Sequence, residues 1–371
     1  GGGKDAKDDS ADGDLSGKEI IIGNITPVTG AQAAYGLAIT NSIQMAIDEI
    51  NADGGILGAT VKLSTKDDQG MPAEAVSGFN SLLSEGAAAI IGATLSSCTS
   101  AITSLADDEG IVLVTPSSTA DSITTTDDYV FRSCFKDSFQ GEMVAAYAKD
   151  QGWTKAAVLY ATGDTYSSGL HDSFVKAAEK YGIEIVCEQS SSDTGAVDFS
   201  SQLATIAASG ADMLFAPYYY EVGPKIIPQA REAGFKGAIM GCDGFDGTQD
   251  YTTGDLSAYE NVYFTNHYSP EDSSEIVQSY VKNYTEKYGS ESMNALGALA
   301  YDAMYMVKQA IEKAGSIDHE AIRDAMSGMH YVGVTGDMTL DETGTPEKSV
   351  AILTFTPSDG KLVQKFVKTQ S

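Results

Sequence analysis

The sequence predicts an α/β chain built from two units, each a parallel sheet covered by helices. Three observations carry this. Short apolar runs alternate with amphipathic stretches from Glu19 onward, and an apolar run flanked by helical patterns reads as a strand buried on both faces. The same rhythm restarts after Asp137. The chain has 371 residues, more than one simple core supports, so roughly two domains are expected.

In chain order, "EIIIGNIT" is a strand and "GLAITNSIQMAIDEINADGG" a helix, with Leu37, Ile43, Ile47 and Ile50 at helical spacing and Gly54 and Gly55 as its stop. "ATVKLSTK" alternates as a strand, "AEAVSGFNSLLSEG" is a helix closed by Gly86, and "AAAIIGA" is a strand. Cys98 to Glu109 is expected to be one helix, leading to the strand "GIVLVT". After Asp137, helices "SFQGEMVAAYAKDQG", "GLHDSFVKAAEKYG", "DFSSQLATIAASG" and "EVGPKIIPQAREAG" precede strands "AAVLYA", "IEIVCE", "DMLFAP" and "GAIMGCDG". Pro224 and Pro228 are expected to confine the last of these helices to its later part or to kink it. Helices are expected over 273–288 and 293–314, and the C-terminus ends in strand-like "VAILTFT" and "KLVQKFVK".

Lys and Arg number 23 against 52 Asp and Glu, a net charge of −29. Such a chain repels nucleic acid and anionic lipid, so neither is expected as a partner. No apolar run approaches the roughly 18 residues of a membrane span. No signal peptide is read, which leaves a cytosolic protein or a processed mature one. Cys98, Cys134, Cys187 and Cys242 are widely spaced; a zinc site is not expected, and four separate buried thiols are favoured over a disulfide. Residues 1–17 read as a disordered acidic tether in which Leu15 is the one apolar residue beyond alanine. Within it, Asp8 to Glu19 falls at the positions of a twelve-residue calcium loop, but Ser10 departs from the pattern and helices do not bracket it. Metals and cofactors are therefore not expected.

Two strands end in hydroxyl clusters, "TLSSCTS" from Thr94 and "TPSSTA" from Thr115. In open α/β sheets ligands bind at the C-terminal ends of the strands. A small-residue loop leading into a helix offers free N–H groups to an anion, and adjacent hydroxyls can add to them. Helix capping is the competing reading of each cluster. No nucleophile elbow, P-loop or dinucleotide fingerprint is present, so catalysis is not expected. His171, His267, His319 and His330 form no pair at metal spacing and are expected at the surface. Tyr35, Tyr166 and Tyr218 to Tyr220 lie in loops or at helix starts.

Ten stretches, in order, carry a resemblance: "PVTGAQAAYG", "AIDEINADGGILG", "DDQGMPAEAV", "IIGATLSSCTSA", "DEGIVLVTPSSTA", "FRSCFKDSFQG", "YSSGL", "DFSSQL", "QAREAGF" and "GCDGFDG". From Lys18 nearly to the C-terminus the chain resembles the branched-chain (leucine/isoleucine/valine-type) amino-acid-binding proteins of ABC importers. The resemblance implies a periplasmic-binding-protein type I fold, with two Rossmann-like lobes, a three-segment hinge and a ligand cleft. Lobe one would be 18–136 plus 267–341, and lobe two 137–266 plus 342–371. It further implies that Ser96 and Thr119 bind the ligand carboxylate. The ammonium would meet the Ser117 carbonyl, Asp243 and Tyr166. Tyr35, Thr94, Leu95, Tyr218, Phe245 and Leu296 would line the side-chain pocket. Three positions depart from the family pattern: Ser117 stands for an alanine, Asp243 for a glutamate and Leu296 for a phenylalanine. The implied role is an extracytoplasmic solute-binding protein that captures a neutral, branched-chain aliphatic L-amino acid and delivers it to an ABC permease. A monomer is expected, held at the cell surface as a lipoprotein of the Gram-positive type or otherwise in the periplasm. The alternative is a ligand-sensing receptor module of the same fold, binding another small amino acid, an amide or an aromatic acid.

Overall fold

Five apolar runs build the first sheet. The computed structural model describes residues 13–124 and 129–371. The first segment comprises β1 (Glu19–Thr26), α1 (Ala33–Ala52), β2 (Thr60–Asp67), α2 (Pro72–Ser84), β3 (Ala89–Gly92), α3 (Ser96–Ser100), α4 (Thr103–Glu109), β4 (Leu113–Thr115) and β5 (Val130–Arg132). These strands pair in parallel in the order β2-β1-β3-β4-β5. Ile20, Ile22, Ile25, Ile90, Ile91, Leu113 and Val114 are buried. Helices cover both faces of such a sheet, which is why its central strands are apolar without alternation.

The second segment runs α5 (Asp137–Gln151), β6 (Lys155–Ala161), α6 (Thr165–Lys180), β7 (Glu184–Ser191), α7 (Ser200–Ala207), β8 (Met213–Phe215), α8 (Gly223–Glu232), β9 (Ala238–Gly241) and β10 (Val262–Asn266). Then come α9 (Glu275–Tyr288), α10 (Ala295–Ala314), α11 (His319–Met326) and the hairpin β11 (His330–Gly333) with β12 (Gly336–Thr339). The chain ends in β13 (Val350–Ser358) and β14 (Lys361–Gln370), an antiparallel pair. They extend a seven-stranded sheet of order β14-β13-β10-β9-β8-β6-β7, parallel from β10 to β7.

The chain divides into two compact units, Gly1–Phe135 with Glu275–Lys348, and Lys136–Ser274 with Ser349–Ser371. It changes unit after Phe135, Ser274 and Lys348, where the sequence reading drew its boundaries after Lys136, Asn266 and Asp341. Local bonds hold the last stretch of the first unit in place. Arg132 N donates to Gly344 O at 3.0 Å, and Lys348 Nζ donates to Ser133 O.

Several local expectations differ from what is observed. The helix expected over Cys98–Glu109 is two, α3 and α4, because Ile102 between them leaves helical geometry (φ −121°, ψ −2°). The first of these starts earlier, at Ser96. Pro224 occupies the first turn of α8, where no N–H is required, and the helix continues through Pro228. Most of the expected tether, residues 1–12, and with it the first part of the calcium-loop pattern, lies outside the described residues. Leu15 is buried, and its N–H donates to Leu57 O at 2.7 Å, so packing begins inside the stretch read as tether. Asp14 accepts from Ser16 N and Oγ at 2.9 and 2.6 Å, and Glu19 opens β1.

Close approach fixes the start of α1. A Cβ on Gly36 would lie 1.8 Å from Pro27 O, and Gly36 follows Tyr35 directly. Gly36→Ala is expected to lower stability by about 1–3 kcal/mol, read from the urea midpoint; an unchanged midpoint would remove this constraint.

Candidate functional site

In the first unit, β3 and β4 are neighbours, so the loops after them lie side by side. Most hydroxyls of the two clusters staple these loops together. Ala93 O accepts from Thr99 Oγ1 (3.0 Å), Thr115 Oγ1 (2.7 Å) and Ser118 Oγ (3.3 Å). Thr94 O accepts from Ser117 Oγ at 2.8 Å. The Ser117 hydroxyl is thereby committed and its N–H donates to Thr115 Oγ1 at 3.4 Å, which leaves its carbonyl for any other role. Thr94 Oγ1 pairs with Thr26 Oγ1 at 2.7 Å.

Two residues stand apart. Ser96 Oγ accepts from Ala120 N at 3.3 Å, so its own proton is free to be donated elsewhere. Thr119 is fully buried, yet its Oγ1 has no partner among the described residues. A buried hydroxyl without a partner is costly, and a ligand oxygen would satisfy it. Tyr35, Leu95 and Leu296 are buried in the same unit. Leu296 lies in the first turn of α10, which Asn294 caps by accepting from Gly297 N at 3.2 Å; that helix packs on β3 and β4.

In the second unit, donors converge on one buried carboxylate. Asp243 follows β9 directly after Cys242. Tyr166 Oη donates to Asp243 Oδ1 at 2.5 Å and accepts from Gly244 N at 2.9 Å. Gln140 Nε2 donates to the same oxygen at 3.3 Å, while Gln140 Oε1 accepts from Asp243 N (3.1 Å) and Thr265 Oγ1 (2.7 Å). His267 Nε2 lies 2.8 Å from Asp243 Oδ2. Burial, and then the Asp243 charge, hold the Tyr166 phenol well above its usual range, so Tyr166 stays a neutral donor. A carboxylate offers about four lone-pair sites, which leaves capacity for one cationic group.

The structure thus brings Tyr166 together with Asp243. Tyr218 and Phe245 lie in the hydrophobic core of the second unit. The Tyr218 hydroxyl pairs with Ser191 Oγ at 2.7 Å, and burial pushes it up to about 12. The expectation that every histidine sits at the surface is corrected. His267 is buried against Asp243, and His171 stacks on Tyr160 at 3.9 Å between centroids. Sequence reasoning missed both His267 and Gln140. The available signal was that His267 follows an unrecognised strand, β10, whose C-terminal end faces the same way as that of its parallel neighbour β9. No disulfide joins the four cysteines; Cys98, Cys134 and Cys242 are buried as expected, whereas Cys187 is half-buried, and no group of three or more His, Cys, Asp or Glu among the described residues could hold a metal ion.

Two α/β units, each with polar groups gathered past the ends of parallel strands, define a binding protein of the doubly wound class. The chain belongs to the periplasmic binding protein family, whose model matches residues 19–361. It is 31% identical over 356 residues to a Leu/Ile/Val-binding protein homologue of Brucella melitensis, with 93% of each chain covered. It is 32% identical to the solved leucine-binding protein LivK of Thermotoga maritima (TM-score 0.87, covering 95% of this chain and 98% of that one). It is 31% identical to the branched-chain amino-acid transporter substrate-binding protein LivJ of Streptococcus pneumoniae, solved with isoleucine (TM-score 0.85, 95% and 100% covered). The fold is that of these periplasmic-binding-protein type I structures.

Tyr166→Phe would remove the hydroxyl that accepts from the buried Gly244 N–H and one of the three donors to Asp243. A loss of about 1–3 kcal/mol in unfolding free energy is expected, measured by denaturant titration; a wild-type value would contradict the geometry.

Proposed function

We propose that this protein is the solute-binding component of an ABC importer, capturing a neutral, branched-chain aliphatic L-amino acid and handing it to membrane permease subunits. The observation that carries this is chemical complementarity. One unit holds neutral donors, Ser96 and the unpartnered Thr119. The other holds a buried carboxylate, Asp243, beside Tyr166. An α-amino acid needs both kinds of partner. The names of the relatives support the ligand class, and one neighbour was solved with isoleucine.

In this reading Ser96 and Thr119 bind the carboxylate. The Ser117 carbonyl, Asp243 and Tyr166 bind the ammonium. Tyr35, Thr94, Leu95, Tyr218, Phe245 and Leu296 are the residues assigned to the side chain. The protein acts as an extracytoplasmic monomer. Anchoring as a cell-surface lipoprotein rests on the Gly-, Asp- and Ser-rich composition of the first eighteen residues. No helix among the described residues is long and apolar enough to cross a membrane. Micromolar affinity requires about 8 kcal/mol net; charge-assisted bonds plus one buried aliphatic side chain supply that.

A thermal-shift screen of the twenty amino acids, after partial unfolding and dialysis to strip copurified ligand, tests the function. Leucine, isoleucine or valine is expected to raise the midpoint most; no shift from any amino acid would overturn the proposal. By calorimetry, Ser96→Ala and Asp243→Ala are each expected to weaken binding about tenfold or more. If both variants keep wild-type affinity, these residues are not the site.

A further inference from the structure

The hydroxyl staples hold Thr115 to Ser118; from Ser118 onward, the loop that presents Thr119 is held by a buried guanidinium. Arg132 ends β5 and is fully buried. Its Nη1 donates to Ser118 O at 3.0 Å and to Ala120 O at 2.7 Å, the carbonyls on either side of Thr119. Cys134 Sγ adds a weak contact to Ser118 O at 3.5 Å. Arg132 Nε donates to Thr345 Oγ1 at 2.9 Å, and Thr345 is fixed in turn by Thr124 Oγ1 at 2.6 Å and by Asp341, which accepts from Thr345 N at 3.1 Å.

The geometry of the peptide bond turns this clamp into an orienting device. In a trans peptide the C=O and the following N–H point in opposite directions. With Ser118 O held by Arg132, the Thr119 N–H is aimed away from the guanidinium. That N–H makes no bond within the described residues, and neither does Thr119 Oγ1. Ala120 N is spent on Ser96 Oγ, which leaves the Ser96 proton to be donated. Thr119 N–H, Thr119 Oγ1 and the Ser96 hydroxyl therefore remain as donors, while Arg132 takes the carbonyls on either side of Thr119.

We infer that Arg132 is the positioning residue of carboxylate recognition: without touching the ligand, it holds the Ser118–Thr119–Ala120 backbone so that Thr119 N–H, Thr119 Oγ1 and Ser96 Oγ meet one carboxylate. This rests on the amino-acid-binding function proposed above. Arg132 suits the task better than lysine because its planar fork fixes direction as well as charge. It also joins the recognition loop to the stretch from Asp341 to Lys348, just before the chain leaves the first unit.

The test compares leucine with leucinamide, which keeps the ammonium and side chain but lacks the carboxylate, by calorimetry on wild type, Arg132→Gln, Arg132→Lys and Thr345→Val. Wild type is expected to prefer leucine. Arg132→Gln is expected to lose about tenfold or more in leucine affinity with little change for leucinamide, so the preference collapses. Arg132→Lys is expected to recover it only in part, and Thr345→Val, which retains the guanidinium, to reduce it in the same direction. A residue that only stabilised the fold would change both affinities alike. If the folded variants keep the wild-type preference, the inference is overturned. Should Arg132→Gln fail to fold, Thr345→Val decides by the same ratio. If wild type binds neither compound, the proposed function itself has failed, a result distinct from loss of preference in the variants alone.

Discussion

Two buried carbonyls govern the loops that follow β3 and β4 in the first unit. Ala93 O and Thr94 O emerge where β3 ends inside the protein, and a buried carbonyl must find donors. They draw hydroxyls from Thr99, Thr115, Ser117 and Ser118. That demand explains why two neighbouring strands terminate in serine and threonine. It also divides the clusters by task. Residues that satisfy these carbonyls shape the loops, and those left over, Ser96 and Thr119, have donors to give away.

The second unit answers a different version of the same constraint. A carboxylate buried at the end of β9 must be compensated, since an uncompensated charge in a protein interior is far more costly than an unpaired carbonyl. Tyr166, Gln140 and His267 come from three separate elements to supply the donors. Gln140 faces both ways, holding the Asp243 main chain with one atom and its side chain with another. The carboxylate is thereby fixed in place by the protein alone, and in the proposed role such preorganisation would lower the ordering cost of binding.

Much of the architecture was legible because parallel sheets write long, unambiguous apolar runs. The exceptions are instructive. β5 spans Val130–Arg132, too short to display a period, yet it carries Arg132. The hairpin β11–β12 and helix α11 went unread because they form beside α10, as local additions with no repeated pattern. The hydroxyl clusters were visible as clusters, but sorting stapling residues from available ones requires knowing where each carbonyl points. Gln140 lies 103 residues from Asp243 along the chain and His267 lies 24 away. Nothing in local spacing links either to that carboxylate; only the adjacent ends of parallel strands and the start of α5 bring them together. Ser96, Thr119, Tyr166 and Asp243 come from the resemblance; the structure adds that Ser96, Tyr166 and Asp243 are hydrogen-bonded and that the buried Thr119 hydroxyl has no partner among the described residues.

The charge balance fits this division of labour. A net charge of −29, taken alone, disfavours any ligand bearing a carboxylate. At physiological ionic strength, however, the Debye length is about 8 Å, so surface carboxylates are largely screened, and a zwitterion carries no net charge for a long-range field to repel. Recognition therefore falls to short-range donors and acceptors. Neutral hydroxyls and an oriented N–H can stabilise a carboxylate without importing a cation that would repel the ligand ammonium. On the proposed reading, Asp243 would discriminate for that ammonium with the acceptor capacity that Tyr166, Gln140 and His267 leave unused. The acidic surface then serves solubility, and selectivity would rest on the few buried groups with bonding capacity to spare.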